Sequence, residues 1–297
     1  MDLRQLRYFL AVARAGSFSR AAAREHVSQP TLSEQIRQLE RELRLPLFER
    51  LARGVRLTVA GERLLIHARN ILREVADARQ SLESLRTHAA GRLVVGAIPT
   101  VLPYLLAGRV AQFRSRHPEI ELRLVEDVTA RLLEGLQAGD LDLAIVSLPV
   151  RAPDLICAEI LREPLLVALP PDHPLASAAE IDPRALRGER WLVLRDGHCF
   201  RDEVLTLCRR ALRDSSYLFE TDQFASIAAL VKAGFGVSVL PAMAACQAAG
   251  CRLVPLRGRP LRRIGYARLR RAFLPPAQVA FTDWLKSLAR RAPAAVS

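Results

Sequence analysis

Residues 196 to 208 read DGHCFRDEVLTLC, a stretch whose residue types and spacing could do thiol chemistry. Cys199 stands between His198 and Phe200 and close to Arg201, and Cys208 follows nine positions later, in a chain with only five cysteines. Asp196–Gly197 reads as a turn, so Cys199 falls at or just before a helix start. Unpaired backbone N–H groups and the helix dipole favour a thiolate there. His198 and Arg201 add positive potential, while Asp202 and Glu203 oppose it. A partly exposed thiolate is the form that peroxide converts to sulfenic acid, which then condenses with a second thiol. Cys208 shares an apolar stripe with Phe200, Val204, Leu207 and Ala211 and is expected to be buried. On one continuous helix the two thiols stand ~13.5 Å apart along the axis, whereas a disulfide needs Cα atoms within ~7 Å. Joining them requires the helix between them to unwind. The alternative on these residues alone is a pair of unrelated core cysteines.

The rest of the chain must position that segment. Its 297 residues suit two or three domains, and with half of them hydrophobic there is material for more than one core. The opening MDLRQLRYFLAVARAG is charged throughout, without a long apolar stretch or a small-residue cleavage site, so no secretory signal is expected. No run reaches the ~18 apolar residues of a membrane span. A cytoplasmic protein without membrane contact is expected, in a compartment where paired thiols tend to be redox-active. Cys157, Cys246 and Cys251 match no metal-ligand spacing and read as structural, so neither a metal nor another cofactor is expected.

The net charge of +13 is almost all arginine, since Lys232 and Lys286 are the only lysines. An arginine- and alanine-rich composition weakens any inference from total charge, but its distribution is informative. Residues 1–88 carry 16 arginines against 10 acids, net +6; residues 89–251 are net −3; and 252–297 carry 11 bases against 1 acid, net +10. The basic ends point to a polyanion as partner.

The first end reads as helices. Gly16 and Ser17 break one helix, and Ser17 caps a short alanine-rich second, FSRAAAREH. Ser28 caps a third with Pro30 in its first turn, and Leu32, Ile36, Leu39 and Leu43 form its apolar stripe. Gln29, Pro30, Thr31, Ser33 and Arg37 fall outside that stripe near the helix start, where side chains with Ser28 can meet base edges and phosphates in a major groove. In LFERLARGVRLTVAG, Arg50, Arg53 and Arg56 flank a Gly54 turn between two short apolar runs, a hairpin wing suited to phosphates. Carried on FSRAAAREHVSQPTLSEQIRQLE and LFERLARGVRLTVAG, residues 1–58 resemble the winged helix-turn-helix of LysR-type transcriptional regulators.

Residues 59–87 continue as one helical pattern in which Leu64, Ala68, Ile71, Val75, Ala78, Leu82 and Leu85 form a heptad seam. The resemblance implies dimerisation through this helix, presenting two recognition helices to two-fold related double-stranded DNA. From Gly91 strands and helices alternate, which argues parallel α/β sheets. The family implies two α/β lobes like those of periplasmic binding proteins, spanning residues 88–297. The first lobe is expected over about 88–162 and 269–297 and the second over about 163–268, with crossover strands near 162–169 and 262–269 and a last helix near 276–291.

HC-x-RD with C-x8-C in the second lobe is also similar to the signature of the OxyR hydrogen-peroxide sensors. That resemblance implies a peroxidatic Cys199 and a resolving Cys208, with Thr100, Thr129, His198 and Arg201 around the peroxide, and Arg268 or Arg270 as the arginine from the second crossover. It further implies a cytoplasmic, non-enzymatic activator, dimeric or tetrameric, that works with RNA polymerase. Phe200 replaces a usual leucine, and Ala225 stands where a glutamate is expected. Two readings compete: a regulator of the same family that binds a small organic anion without thiol chemistry, and a thiol peroxidase, which would have no use for the DNA-reading head.

Overall fold

The computed structural model describes residues 1–51, 54–87, 91–150, 152–209, 217–270 and 274–289. They fall into two compact units, Met1–His88 and Ala89–Ser297.

In the first unit, α1 (Leu3–Ala15) starts on an Asp2–Gln5 capping box and ends where Gly16 turns left-handed. The Ser17 hydroxyl caps α2 (Phe18–Arg24), and Ser28 caps α3 (Gln29–Leu43) by accepting from the Thr31 N–H at 3.2 Å. Ala21 and Ala22 let α2 pack closely, and Phe9, Leu32, Ile36, Leu39 and Leu47 fill the centre. The wing is the antiparallel pair β1 (Phe48–Arg50) and β2 (Val55–Leu57), with Phe48 opposite Leu57. Gly54 has a φ of 89°, and a Cβ there would meet the Gly16 carbonyl oxygen at 2.8 Å. The neighbouring Val55 N–H donates to that same oxygen, so the wing is tied to the turn after α1.

The last element of this unit, α4 (Val59–Thr87), corrects part of the expected seam. Ala68 is fully buried and Leu64 packs beside it in the unit's own core, together with Leu65 and Leu72. These two positions serve the head, because the start of the helix must cover α1. Farther along, Ile71, Ala78 and Leu82 are exposed and Val75 is half-buried, while the side chain of Leu85 lies outside the described residues.

The second unit is built on a seven-stranded sheet. Its strands are β3 (Gly91–Ala97), β4 (Ile120–Glu126), β5 (Leu143–Leu148), β6 (Leu155–Leu169), β9 (Ser238–Pro241), β10 (Arg252–Pro255) and β11 (Leu261–Leu269). The order is β10-β6-β11-β5-β3-β4, with β9 also on β6. β3 runs parallel to β4 and β5, while β11 runs antiparallel to β5 and β6. A separate parallel pair joins β7 (Trp191–Leu194) to β8 (Tyr217–Thr221). Around them lie α5 (Val110–Arg116), α6 (Thr129–Ala138), α7 (Cys199–Leu207), α8 (Phe224–Lys232) and α9 (Pro276–Ala289). Between β3 and α5 lies a wide turn over Leu102–Leu106.

Two apolar cores define two lobes. One holds β3, β5, α6 and the returning α9 with Phe281, Trp284 and Leu285; the other holds Trp191, Phe200, Val204, Ile227 and Val239. The long β6 serves both, pairing with β11 over Leu155–Pro164 and with β9 and β10 from Leu165 onward. The second crossing lies earlier than 262–269 suggests. Ile264, Tyr266, Ala267 and Leu269 already pack in the first core, so only the opening residues of β11 span the junction.

Candidate functional site

α7 starts where the β7 strand ends and the chain turns through Asp196–Gly197, with Gly197 at φ 94°. Cys199 is its first residue, His198 its N-cap and Cys208 its C-cap. All five cysteines are free thiols. Cys199 is half-buried and packs against the first lobe's core, while the next residue, Phe200, is buried in the second lobe's core. The helix start is thus held between the lobes. Cys208 is fully buried, and burial pushes its pKa up to about 12, so it waits as a neutral thiol. Of the three cysteines read as structural, Cys157 and Cys251 are half-buried and raised by burial, but Cys246 lies on the surface.

The arginine from the second crossover is Arg262, not Arg268 or Arg270. Arg268 and Arg270 sit at the far end of β11, opposite Ile156 and against the Asp154 carbonyl, because the strand crosses the junction at its beginning. Arg262 is completely buried where the lobes meet. It donates to Thr100 Oγ1 at 2.6 Å and to Ser147 Oγ at 3.3 Å, and lies 3.5 Å from Glu163 Oε1. Its guanidinium also covers the Phe200 ring at 4.9 Å. Phe200 in turn meets Phe224 edge-on at 5.2 Å, which gives the unexpected phenylalanine its place. Sequence reading missed Arg262 because LRRIGYARLR holds four arginines and spacing alone does not choose among them. Alternation along β11 sets Arg262 level with Ile264, Tyr266 and Arg268 alike, so the period of the strand could not choose between them.

Glu163 completes this cluster. It accepts from the Met243 N–H at 2.9 Å, and burial pushes its carboxyl up to about 7 against the opposing pull of Arg262. Burial also raises Glu203, again against Arg262.

Thr129 begins α6, and its hydroxyl is buried with no hydrogen-bond partner among the described residues. Val128 beside it lines a cleft of about 610 Å³ that also touches Pro99, Tyr104, His198 and Phe224. The walls carry Glu126, Asp127, Asp196 and Asp222 against one arginine, Arg195. His198 Nε2 lies 2.8 Å from Asp222 Oδ1, and Asp222 is also held by Arg195. Burial first, and Arg195 second, lower the His198 pKa, so at neutral pH it is an uncharged imidazole. Arg201 departs from its expected role. It is committed to Asp196 at 3.1 Å, Glu220 at 2.6 Å and the Leu194 carbonyl at 3.0 Å, bracing the start of α7 rather than presenting free charge to the thiol.

In the head, Ser28, Gln29, Pro30, Thr31 and Arg37 are exposed along the start of α3. Ser33 is buried instead, since it falls beside Leu32 and Ile36 on the inward side. The Arg50 side chain and all of Arg53 lie outside the described residues. Among the described residues no group of three or more His, Cys, Asp or Glu is placed to hold a metal ion, and no helix is long and apolar enough to cross a membrane.

A capped recognition helix with a wing, followed by a two-lobed α/β unit, defines a class of bacterial regulators. Residues 3–62 match the bacterial regulatory helix-turn-helix protein, lysR family, and residues 86–290 match the LysR substrate binding domain. The chain belongs to the LysR family of DNA-binding transcriptional regulators. It is 39% identical over 244 residues, 82% of this chain and 80% of the relative, to the DNA-binding transcriptional dual regulator OxyR of Escherichia coli. It is also 39% identical over 268 residues, 88% of this chain and 85% of the relative, to a probable hydrogen peroxide-inducible genes activator of Mycobacterium avium. A full-length OxyR variant from Pseudomonas aeruginosa superposes with a TM-score of 0.76 at 33% identity, covering 99% of this chain and 96% of that one. A hydrogen-peroxide-bound OxyR mutant from Corynebacterium glutamicum gives 0.59 at 31% identity, covering 98% and 95%. CbnR in complex with its target DNA gives 0.64 at 27%, covering 98% and 99%.

Proposed function

We propose that this chain is a peroxide-responsive transcription activator of oxidative-stress genes in which Cys199 is oxidised first and Cys208 resolves it. The observation that carries the reading is the placement of α7. Its first residue, Cys199, packs on one lobe, Phe200 on the other, and Cys208 is sealed at the far end. The Cys199 sulfur attacks one peroxide oxygen, the O–O bond breaks, and the thiol proton ends on the departing hydroxide, leaving Cys–S–OH and water. The Cys208 thiol then displaces that hydroxyl as a second water and forms the disulfide. An intact helix holds the sulfurs ~13.5 Å apart along its axis, so the second step demands that α7 unwind and draw Phe200 away from Arg262. The buried Thr129 hydroxyl, the Arg262-bound Thr100 and neutral His198 would receive the peroxide, in keeping with the peroxide-bound structural relative.

In this reading residues 1–58 read DNA, 59–87 link and pair two copies, and 88–297 sense. The protein acts in the cytoplasm as a homodimer or homotetramer on two-fold related promoter sites, handing its signal to RNA polymerase without cofactor, metal or membrane. The competing organic-anion reading is disfavoured by the cleft, whose four acids against Arg195 would repel an anion. Thiol mass spectrometry after a brief near-stoichiometric peroxide pulse tests the proposal. Cys199→Ser should abolish the response of DNA binding to peroxide, and Cys208→Ser should accumulate a dimedone-trappable Cys199 without a bridge. An unmodified Cys199 in a protein whose DNA binding still responds would overturn it.

A further inference from the structure

The ends of β7 and β8 bring Arg195 and Asp222, neither of which has a role in the thiol chemistry above, against His198. The Arg195 N–H donates to the Thr221 carbonyl at 2.9 Å, which fixes Arg195 and Asp222 side by side. Arg195 forks onto the Asp222 carboxylate through Nε and a terminal nitrogen, and Asp222 Oδ1 also lies 2.8 Å from His198 Nε2. His198 is only 5% exposed, and among the described residues Asp222 is the sole partner of its imidazole. Although His198 is the N-cap of α7, its side chain makes no capping bond.

These contacts select one form of the ring. A carboxylate only accepts, so the 2.8 Å contact places a proton on Nε2 and leaves Nδ1 of the neutral ring as an acceptor. A lone carboxylate at this distance would also stabilise the imidazolium. Burial first, and then the Arg195 charge beside Asp222, oppose that pull, so the His198 pKa moves down rather than up. The other charged or titratable groups facing this region are Glu126, Asp127, Asp196 and Tyr104 of the cleft, with Cys199 adjacent in the chain and Arg201 already engaged by Asp196 and Glu220.

We propose that Asp222 and Arg195 are positioning residues for the oxidation of Cys199, jointly holding His198 neutral with its proton on Nε2 and Nδ1 left as an acceptor next to the reacting residue. The inference rests on the peroxide reading given above. The bound peroxide donates a hydrogen bond to Nδ1 while the Cys199 sulfur takes one of its oxygens, the O–O bond breaks, and the thiol proton ends on the departing hydroxide as water, leaving Cys–S–OH and a neutral His198. Without Arg195, Asp222 stabilises an imidazolium whose Nδ1 is already occupied. Without Asp222, nothing selects the tautomer.

The test uses the full-length reduced chain with Cys208→Ser, so that sulfenic acid at Cys199 is the end point trapped by dimedone. Rates are followed from mildly acidic to mildly alkaline pH. Asp222→Ala should slow oxidation by up to about a hundredfold, the lower end for loss of a group that handles a proton in the transition state. Asp222→Asn, whose amide oxygen still accepts from Nε2–H, should restore most of the rate. Arg195→Ala should move the acid limb of the profile to higher pH. Histidine-labelled nuclear magnetic resonance of the same proteins reads the ring directly: the His198 proton should sit on Nε2, and His198 should titrate at higher pH in Arg195→Ala. A parent protein that reacts with peroxide while Asp222→Ala keeps its rate and pH profile overturns the positioning role and leaves peroxide sensing standing. A ring protonated on Nδ1, or unmoved by Arg195→Ala, overturns it as well. A parent whose Cys199 does not react at all overturns the peroxide reading, and the inference with it.

Discussion

Replacing Arg262 with methionine isolates what the lobe junction depends on. Arg262 is fully buried and is the only cation within ion-pair distance of Glu163 among the described residues, at 3.5 Å. Methionine fills similar space but strips Glu163 of its counter-charge and Thr100 of its 2.6 Å donor. Removing one partner of a buried pair typically costs about 3–5 kcal/mol, a large share of the ~5–15 kcal/mol that holds a domain together. The loss should depend on pH. Glu163 already titrates near 7 in the folded protein, raised by burial from the ordinary carboxylate value of 4.5. A raised carboxyl contributes its stability at low pH and loses it as pH rises through the folded value. The variant should therefore come closest to the parent in mild acid, where Glu163 is protonated, and fall furthest behind above neutrality. Urea unfolding read by tryptophan fluorescence is suited to this, since Trp191 and Trp284, the only tryptophans, both lie in the second unit. Adding Glu163→Gln to the variant should recover most of the loss at alkaline pH. Equal destabilisation at both pH values, or a double variant no better than the single one, would refute the reasoning.

Other expectations address the head and the reactive thiols. Gln29→Ala should relax sequence preference by about 1–3 kcal/mol at one base position, whereas Arg37→Ala should weaken binding to all sequences and lower the salt slope by about one; gel shifts across a salt series separate the two. Ile71→Asp with Leu82→Asp should break the dimer and its DNA binding together, seen by sedimentation, because unpaired charges would face each other across the exposed part of α4. Ser17→Ala should lower head stability by about 1 kcal/mol through loss of the α2 cap, measured by thermal unfolding. Brief alkylation of the native reduced chain should modify exposed Cys246 while sparing Cys208, as peptide mapping would show, and Cys246→Ser should leave the peroxide response unchanged.

The sequence alone determined whatever depends on local chemistry. Ser17, Ser28 and Pro30 mark helix starts because a cap bonds to N–H groups two or three residues away, and Gly16 marks a stop because few other residues turn left-handed cheaply. The start of α7 at Cys199 and the burial of Cys208 were legible for the same reason, from a turn and a helical stripe. Tertiary structure decided what depends on distant partners. Leu64 and Ala68 carry the same heptad spacing as Ile71, yet they are covered by α1, which no pattern within α4 reveals. Ser33 lies close in sequence to the exposed Gln29, Pro30 and Thr31 but rotates into the core. Arg262 was separated from Arg268 and Arg270 only by where β11 crosses between the lobes, a register fixed by pairing with β5 and β6. The bond of Asp222 to His198 spans 24 positions and depends on how β8 lies against β7, so residue types alone could not reveal it. Local bonds reach a few residues and leave a trace in spacing, whereas burial and charge pairing are set by whichever chain segment folds back against them.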